Sequence, residues 1–186
     1  MKVLVACEFS GRVRDAFIRK GHHAWSIDLL PGEGEFPEYH IQEDVLNVLN
    51  WGWDLMIAHP PCTYLAVCGN KHYSNRWDLI GTAATFVQKL ANAQIEKIAI
   101  ENPVGRLSTI WRKPDQYIQP WMFGHGETKK TGLWLKNLPK LIPTNIVEGR
   151  EERIWKMAPA PDRAKRRSIT YQGIAEAMAS QWSSLS

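Results

Sequence analysis

The sequence is poor in cysteine, in long apolar runs and in glycine fingerprints, and each shortage sets a class of protein aside. It has 186 residues and three cysteines, Cys7, Cys62 and Cys68, an odd set without a Cys-x-x-Cys pair. A disulfide framework is therefore not expected, and a reducing, cytoplasmic setting is. Cys62, Cys68 and His72, with His59 nearby, follow a Cys-x5-Cys-x3-His spacing. That spacing fits no common zinc knuckle, so no metal is expected. No apolar run approaches the roughly 18–20 residues of a membrane span, and no membrane partner is expected. The apolar stretch at the start meets Glu8 too soon for a signal peptide. Gly11 alone follows the first predicted strand, with Arg12 after it, so a pyrophosphate finds no Gly-x-Gly-x-x-Gly cradle, and no P-loop occurs. Excess charge of one sign is also small: 23 Lys and Arg against 19 Asp and Glu permit an anionic partner without requiring one.

What is present is an ordinary globular composition, 44% hydrophobic and 23% charged, long enough to bury a core without disulfides. A single domain over 1–186 is expected. Short apolar runs alternate with helical patterns, which predicts βαβ units on a doubly wound, mostly parallel α/β sheet. Strands are expected at Lys2–Cys7, His23–Asp28, His40–Gln42, Asp54–His59 and Lys97–Glu101. Helices are expected at Gly11–Lys20, Val45–Leu49, Arg76–Ala93 and Thr170–Trp182. Gln116–Phe123 and Thr131–Leu135 read as an antiparallel extension. Pro139–Pro161 holds four of the eleven prolines and reads as an irregular connection.

In such a sheet, function gathers at the carboxyl ends of the strands. Four predicted ends carry chemistry: Cys7-Glu8-Phe9-Ser10-Gly11, Ile27-Asp28, His59-Pro60-Pro61-Cys62 and Glu101-Asn102-Pro103. Asp28 reads either as a turn residue or as an acceptor for two ribose hydroxyls. Without a phosphate cradle, a nucleoside cofactor lacking phosphates fits better than a dinucleotide. Two prolines hold Cys62 in a rigid turn, although a lone cysteine is more often an inert buried residue.

The series Phe9-Ser10-Gly11, Asp28, Asp44, Pro60-Pro61-Cys62 and Glu101-Asn102 resembles the catalytic half of the DNA (cytosine-5)-methyltransferase family. The closing Ser168–Ala175 stretch is similar to that family's last motif. The chain also resembles short phage-encoded members, and the likeness covers nearly all of it. It implies a Rossmann-like methyltransferase domain with S-adenosyl-L-methionine as cofactor. Phe9, Ser10, Gly11, Asp28, Leu29, Asp44 and Pro60 would bind that cofactor, Asp28 on the ribose and Asp44 near the adenine amine. Cys62 would be the nucleophile. Glu101 would hold the base edge, with Pro61, Asn102 and Lys130 beside them. Lys71, Arg76, Arg106, Lys129, Arg166 and Arg167 would contact nucleic acid or nucleotide.

The sequence departs from the family in several places. Arg12-Val13 replaces a second glycine, and Thr63 follows the cysteine where the family has Gln. Glu127–Thr131 matches the family's Gln-x-Arg-x-Arg strand only poorly. The 29 residues from Pro139 to Arg167 cannot hold a target-recognition domain. The resemblance then implies DNA or a free cytidine nucleotide as substrate, and the missing domain leaves room for a homodimer or a second, DNA-reading chain. A catalytically inactive nucleic-acid-binding module with this fold is the other alternative. Methylation of an exocyclic amine is disfavoured, because that class places Asp or Asn before Pro-Pro and an aromatic residue after it.

Overall fold

Why the sheet forms is plain from its central strands. Strand β1 (Lys2–Ala6) and strand β4 (Leu55–Ala58) are almost unbroken runs of buried apolar residues. Such runs need both faces covered, which a parallel sheet flanked by helices provides. The computed structural model describes residues 1–66 and 77–183. Cys68, Lys71, His72 and Arg76 lie outside them.

The remaining strands are β2 (His23–Asp28), β3 (His40–Gln42), β5 (Lys97–Pro103), β6 (Gln116–Ile118) and β7 (Thr131–Lys136). Their order across the seven-stranded sheet is β3-β2-β1-β4-β5-β7-β6. The first five run parallel; β7 is antiparallel to β5, and β6 to β7. Chain order reverses between β1 and β4, where a crevice opens at the carboxyl edge of such sheets.

Helices cover both faces. Helix α1 (Arg12–Arg19) and the final helix pack Val13, Phe17, Ile174, Met178 and Trp182 against Val3, Val5, Leu55 and Ile57. On the other face, helix α2 (Trp77–Ala91) sets Val87 and Leu90 against Leu4, Met56, Ile98 and Ile100. Three short helices follow: α3 (Leu107–Ile110), α4 (Arg153–Lys156) and α5 (Arg163–Ser168). The last is α6 (Gln172–Trp182), whose buried Trp182 donates its indole N–H to the Pro139 carbonyl at 3.0 Å.

Three expectations need correction. Strand β1 stops at Ala6, because Cys7 turns left-handed with φ 57°. The strand expected over Gln116–Phe123 ends at Ile118, because Pro120 has no N–H to give a ladder and starts a 3₁₀ turn over Pro120–Met122. The connection after Pro139 is less irregular than expected. Its backbone pairs with the 121–128 stretch through bonds such as Asn145 N–H to Met122 O and Glu151 N–H to Gly126 O. It also carries α4, and the basic run Lys165-Arg166-Arg167 lies on α5.

Candidate active site

The carboxyl edge of the sheet holds a pocket of about 470 Å³ under α2. Asp28 and Leu29 reach it from the end of β2, and Glu43 and Asp44 from the end of β3. Cys7 enters after β1, and Pro61, Thr63 and Tyr64 after β4. Apolar Ala83 and Phe86 of α2 close the far side. Asp28 accepts from the Leu30 amide at 2.9 Å, and Asp44 from the Leu46 amide at 2.9 Å. Each aspartate is thus both a turn former and a wall of the pocket. Burial, with the charges of Asp28 and Asp44 adding to it, pushes the Cys7 thiol up to about 12. Cys7 therefore stays neutral and a poor nucleophile near pH 7.

The structure does not bring every expected cofactor residue to this pocket. Asp28, Leu29 and Asp44 line it; Phe9, Ser10, Gly11 and Pro60 do not. Phe9 is buried, with the Lys165 ammonium 4.8 Å from its ring centre. Ser10 donates to Glu8 Oε1 at 3.3 Å. Gly11 allows a close approach: a Cβ there would lie 2.3 Å from Arg14 Nη2 and 2.6 Å from the Glu33 carbonyl. The fully buried Arg14 in turn bonds Asp15, Ser26 Oγ and that carbonyl, and so fixes the loop after β2.

Sequence reasoning missed Glu8. This buried carboxylate accepts from the amides of Val13 at 2.7 Å and Arg14 at 3.2 Å. It fills the N-terminus of α1, the place where a phosphate would otherwise bind. The pocket offers three carboxylates, Asp28, Glu43 and Asp44, and an apolar wall, while the α1 N-terminus beside it is already filled. Those acceptors suit the hydroxyls of a phosphate-free nucleoside.

Beside the pocket, the segment after β4 is clasped to the end of β5 and the turn that follows it at three points. His59 Nδ1 lies 3.2 Å from Glu101 Oε2. The buried Asn102 donates its side-chain amide to the Pro60 carbonyl at 2.9 Å. Arg106 N–H donates to Leu65 O at 2.7 Å, and Gly105 sits so close that a Cβ would lie 1.9 Å from that oxygen. Half-buried Cys62 anchors the turn between these points, its carbonyl accepting from the Leu65 and Ala66 amides at 3.0 and 2.8 Å. Burial opposes ionisation of Glu101, but His59, then Lys129 and Thr131, outweigh it and hold the carboxyl below its usual range. On its other side Glu101 lines a void of about 10 Å³ with Lys129, Thr131 and Tyr171, room for a single water.

The cations distribute differently from the expectation. Lys129 acts on Glu101, whereas the exposed Lys130 lies 4.5 Å over the Tyr117 ring. Arg106 stacks over Trp77 at 5.4 Å. Arg166 pairs with Asp162 at 3.1 Å on α5, and Arg167 is half-buried on the same helix. His59 was legible only as the unusual residue before Pro-Pro.

No protein-family model matches this chain, and no curated protein does. Among solved structures, one provisionally described as a DNA modification methyltransferase encoded within an E. coli prophage matches over 78% of this chain and 51% of its own. The identity is 14% and the TM-score 0.48. The chain thus spans about half the length of that protein.

Proposed function

We propose that the chain is an S-adenosylmethionine-dependent methyltransferase acting on cytosine C5 in DNA through Cys62. The observation that carries this is the clasp. One short bond, Asn102 to the Pro60 carbonyl, ties the Pro-Pro-Cys turn to the strand that bears Glu101. Asp28 and Asp44 would hold the ribose and adenine ends of the cofactor, and a sulfonium bound there supplies an electrophilic methyl group.

The chain's own residues do the rest. Cytosine C5 is too weak a nucleophile by itself. Addition of the Cys62 thiolate to C6 makes the ring an enamine with electron density at C5. Glu101 binds the N3 and exocyclic amine edge, where charge develops during that attack. Transfer of the C5 proton to solvent water after alkylation re-forms C5=C6, returns the electron pair of the S–C6 bond to sulfur and frees the enzyme. In a duplex the base must first leave the stack. The same chemistry on a free cytidine nucleotide is a second reading, favoured because the 139–167 segment lies folded along the domain and holds only α4 and α5.

The test is mechanism-based trapping. A 5-fluorocytosine duplex with methyl donor should give a covalent adduct mapping to Cys62, since fluorine cannot leave as a cation. Cys62→Ser should lose the adduct and turnover while still binding S-adenosylhomocysteine in calorimetry. A parallel arm with free 5-fluoro-deoxycytidine monophosphate decides polymer against nucleotide. No adduct in either arm, or full turnover by Cys62→Ser, overturns the proposal.

A further inference from the structure

His59 stands at the end of β4, directly before the Pro-Pro-Cys turn, with its side chain 7% exposed against 14% for Glu101. Its Nδ1 faces Glu101 Oε2 at 3.2 Å, while its Nε2 is buried without a partner among the described residues. Buried polar atoms without partners are rare and ask for a reason, of which catalysis is one. Because a carboxylate only accepts, Nδ1 must carry the proton in this contact.

We propose that His59 is the proton store of Glu101, so that the two residues together, and not Glu101 alone, present a proton to N3 of the pyrimidine. This rests on the cytosine reading above. His59 is a positioning residue in this scheme, since it acts through Glu101.

The chemistry requires such a store. When the Cys62 sulfur bonds to C6, the C5=C6 electron pair is displaced and negative charge builds toward N3. A proton at N3 stabilises it. Glu101, held in its charged form, has none to give. The dyad has one whenever it holds a single proton across the 3.2 Å contact, since imidazolium with carboxylate is the same protonation state as neutral imidazole with carboxyl. One proton passes from the dyad to N3, leaving neutral His59 and ionised Glu101. When solvent water takes the C5 proton, the C–H electron pair re-forms C5=C6, the S–C6 bond breaks with its pair going to sulfur, and N3 gives its own proton back to the dyad. No proton is gained or lost by the dyad over the cycle. The groups facing it are Lys129 before β7, Thr131 at the start of β7, and Tyr171 before α6. Lys129 favours the ionised carboxyl, as His59 does, so it cannot replace the store.

The experiment compares wild type and His59→Gln in methyl transfer to a cytosine-containing duplex between pH 5 and 9. Glutamine keeps an N–H toward Glu101 but cannot titrate. Without the store, Glu101 alone gives up its proton within the carboxylate range, so His59→Gln should approach wild type near pH 5 and fall at least tenfold behind at pH 8. S-adenosylhomocysteine affinity should be unchanged. His59→Asn, too short to reach Glu101, should behave alike and serves if the glutamine variant does not fold. A wild-type to variant ratio constant across the range overturns the proton store and leaves the methyltransferase reading standing. Absence of the 5-fluorocytosine adduct in wild type sinks both.

Discussion

Cys7 and Cys62 both follow strands of the parallel sheet, yet their surroundings differ. Cys7 is held neutral by burial and by Asp28 and Asp44. Cys62 is half-buried in a turn whose other residues, Pro61 and Thr63, open onto the pocket. At pH 8, brief alkylation followed by peptide mapping should label Cys62 and spare Cys7; the reverse order would remove the basis for choosing between them. Asp28 should matter to the cofactor and not to the thiol chemistry. Asp28→Ala removes a charged hydrogen-bond acceptor, worth about 1.5–3 kcal/mol, which is roughly ten- to a hundredfold in S-adenosylhomocysteine affinity. Calorimetry checks this, and unchanged affinity would move the ribose elsewhere. Glu127 offers a stability test. Burial raises its pKa, but hydrogen bonds from Arg153 and Tyr171 hold the carboxyl below its usual range. Its contribution is complete above the ordinary carboxylate value and is lost as pH falls through the lowered one. Urea melts of wild type and Glu127→Gln should therefore differ at pH 7 and converge toward pH 3.

Among the elements, α1 and the clasp behave differently from their sequence signatures. Helix α1 has no capping box; Glu8, three residues before its left-handed Gly11 cap, takes two of its first amides. Glu8→Ala should cost about 1–3 kcal/mol, seen as a lower urea midpoint at unchanged slope. In the clasp, Gly105→Ala would force backbone apart from Leu65, at a cost of about 1–3 kcal/mol. It should slow methyl transfer more than it weakens donor binding, because the pocket walls at Asp28 and Asp44 are not touched. Most strands and the long helices were legible because their apolar periods are unambiguous: Val3–Ala6 and Leu55–Ala58 are unbroken, and Ile174, Met178 and Trp182 recur at helical spacing. The shortened β6 was not, because Pro120 acts through a hydrogen bond its neighbour lacks. At the site, Asp28 was readable from a strand end and Asp44 only through the family resemblance; both line the pocket. Glu8, His59 and the choice of Lys129 over Lys130 were not, since each depends on which side of the chain faces a residue far away in sequence.

At the scale of the whole molecule, charge is unevenly placed. Between Pro139 and Arg167 there are eight Lys and Arg against four Asp and Glu, so this one segment carries the entire net charge of +4. DNA held by such a surface is held by its phosphates. About three neutralised phosphates imply a roughly fortyfold loss of affinity between 50 and 200 mM salt, with little dependence on sequence. Filter binding over a salt series with unrelated duplexes checks both, and a strong preference for one short sequence would contradict it.

Glu8 has a consequence for life inside a cell. It is tethered to the helix it caps, so no concentration of free anion competes with it on equal terms. A phosphate seeking the same amides would have to leave a buried carboxylate unpaired, which is strongly disfavoured. Adenine nucleotides share the nucleoside that Asp28 and Asp44 would recognise, but they bring charges this edge repels. If the proposed methyl donor binds there, occupancy of the pocket should follow the balance of donor and spent product, and ignore the cell's supply of chemical energy.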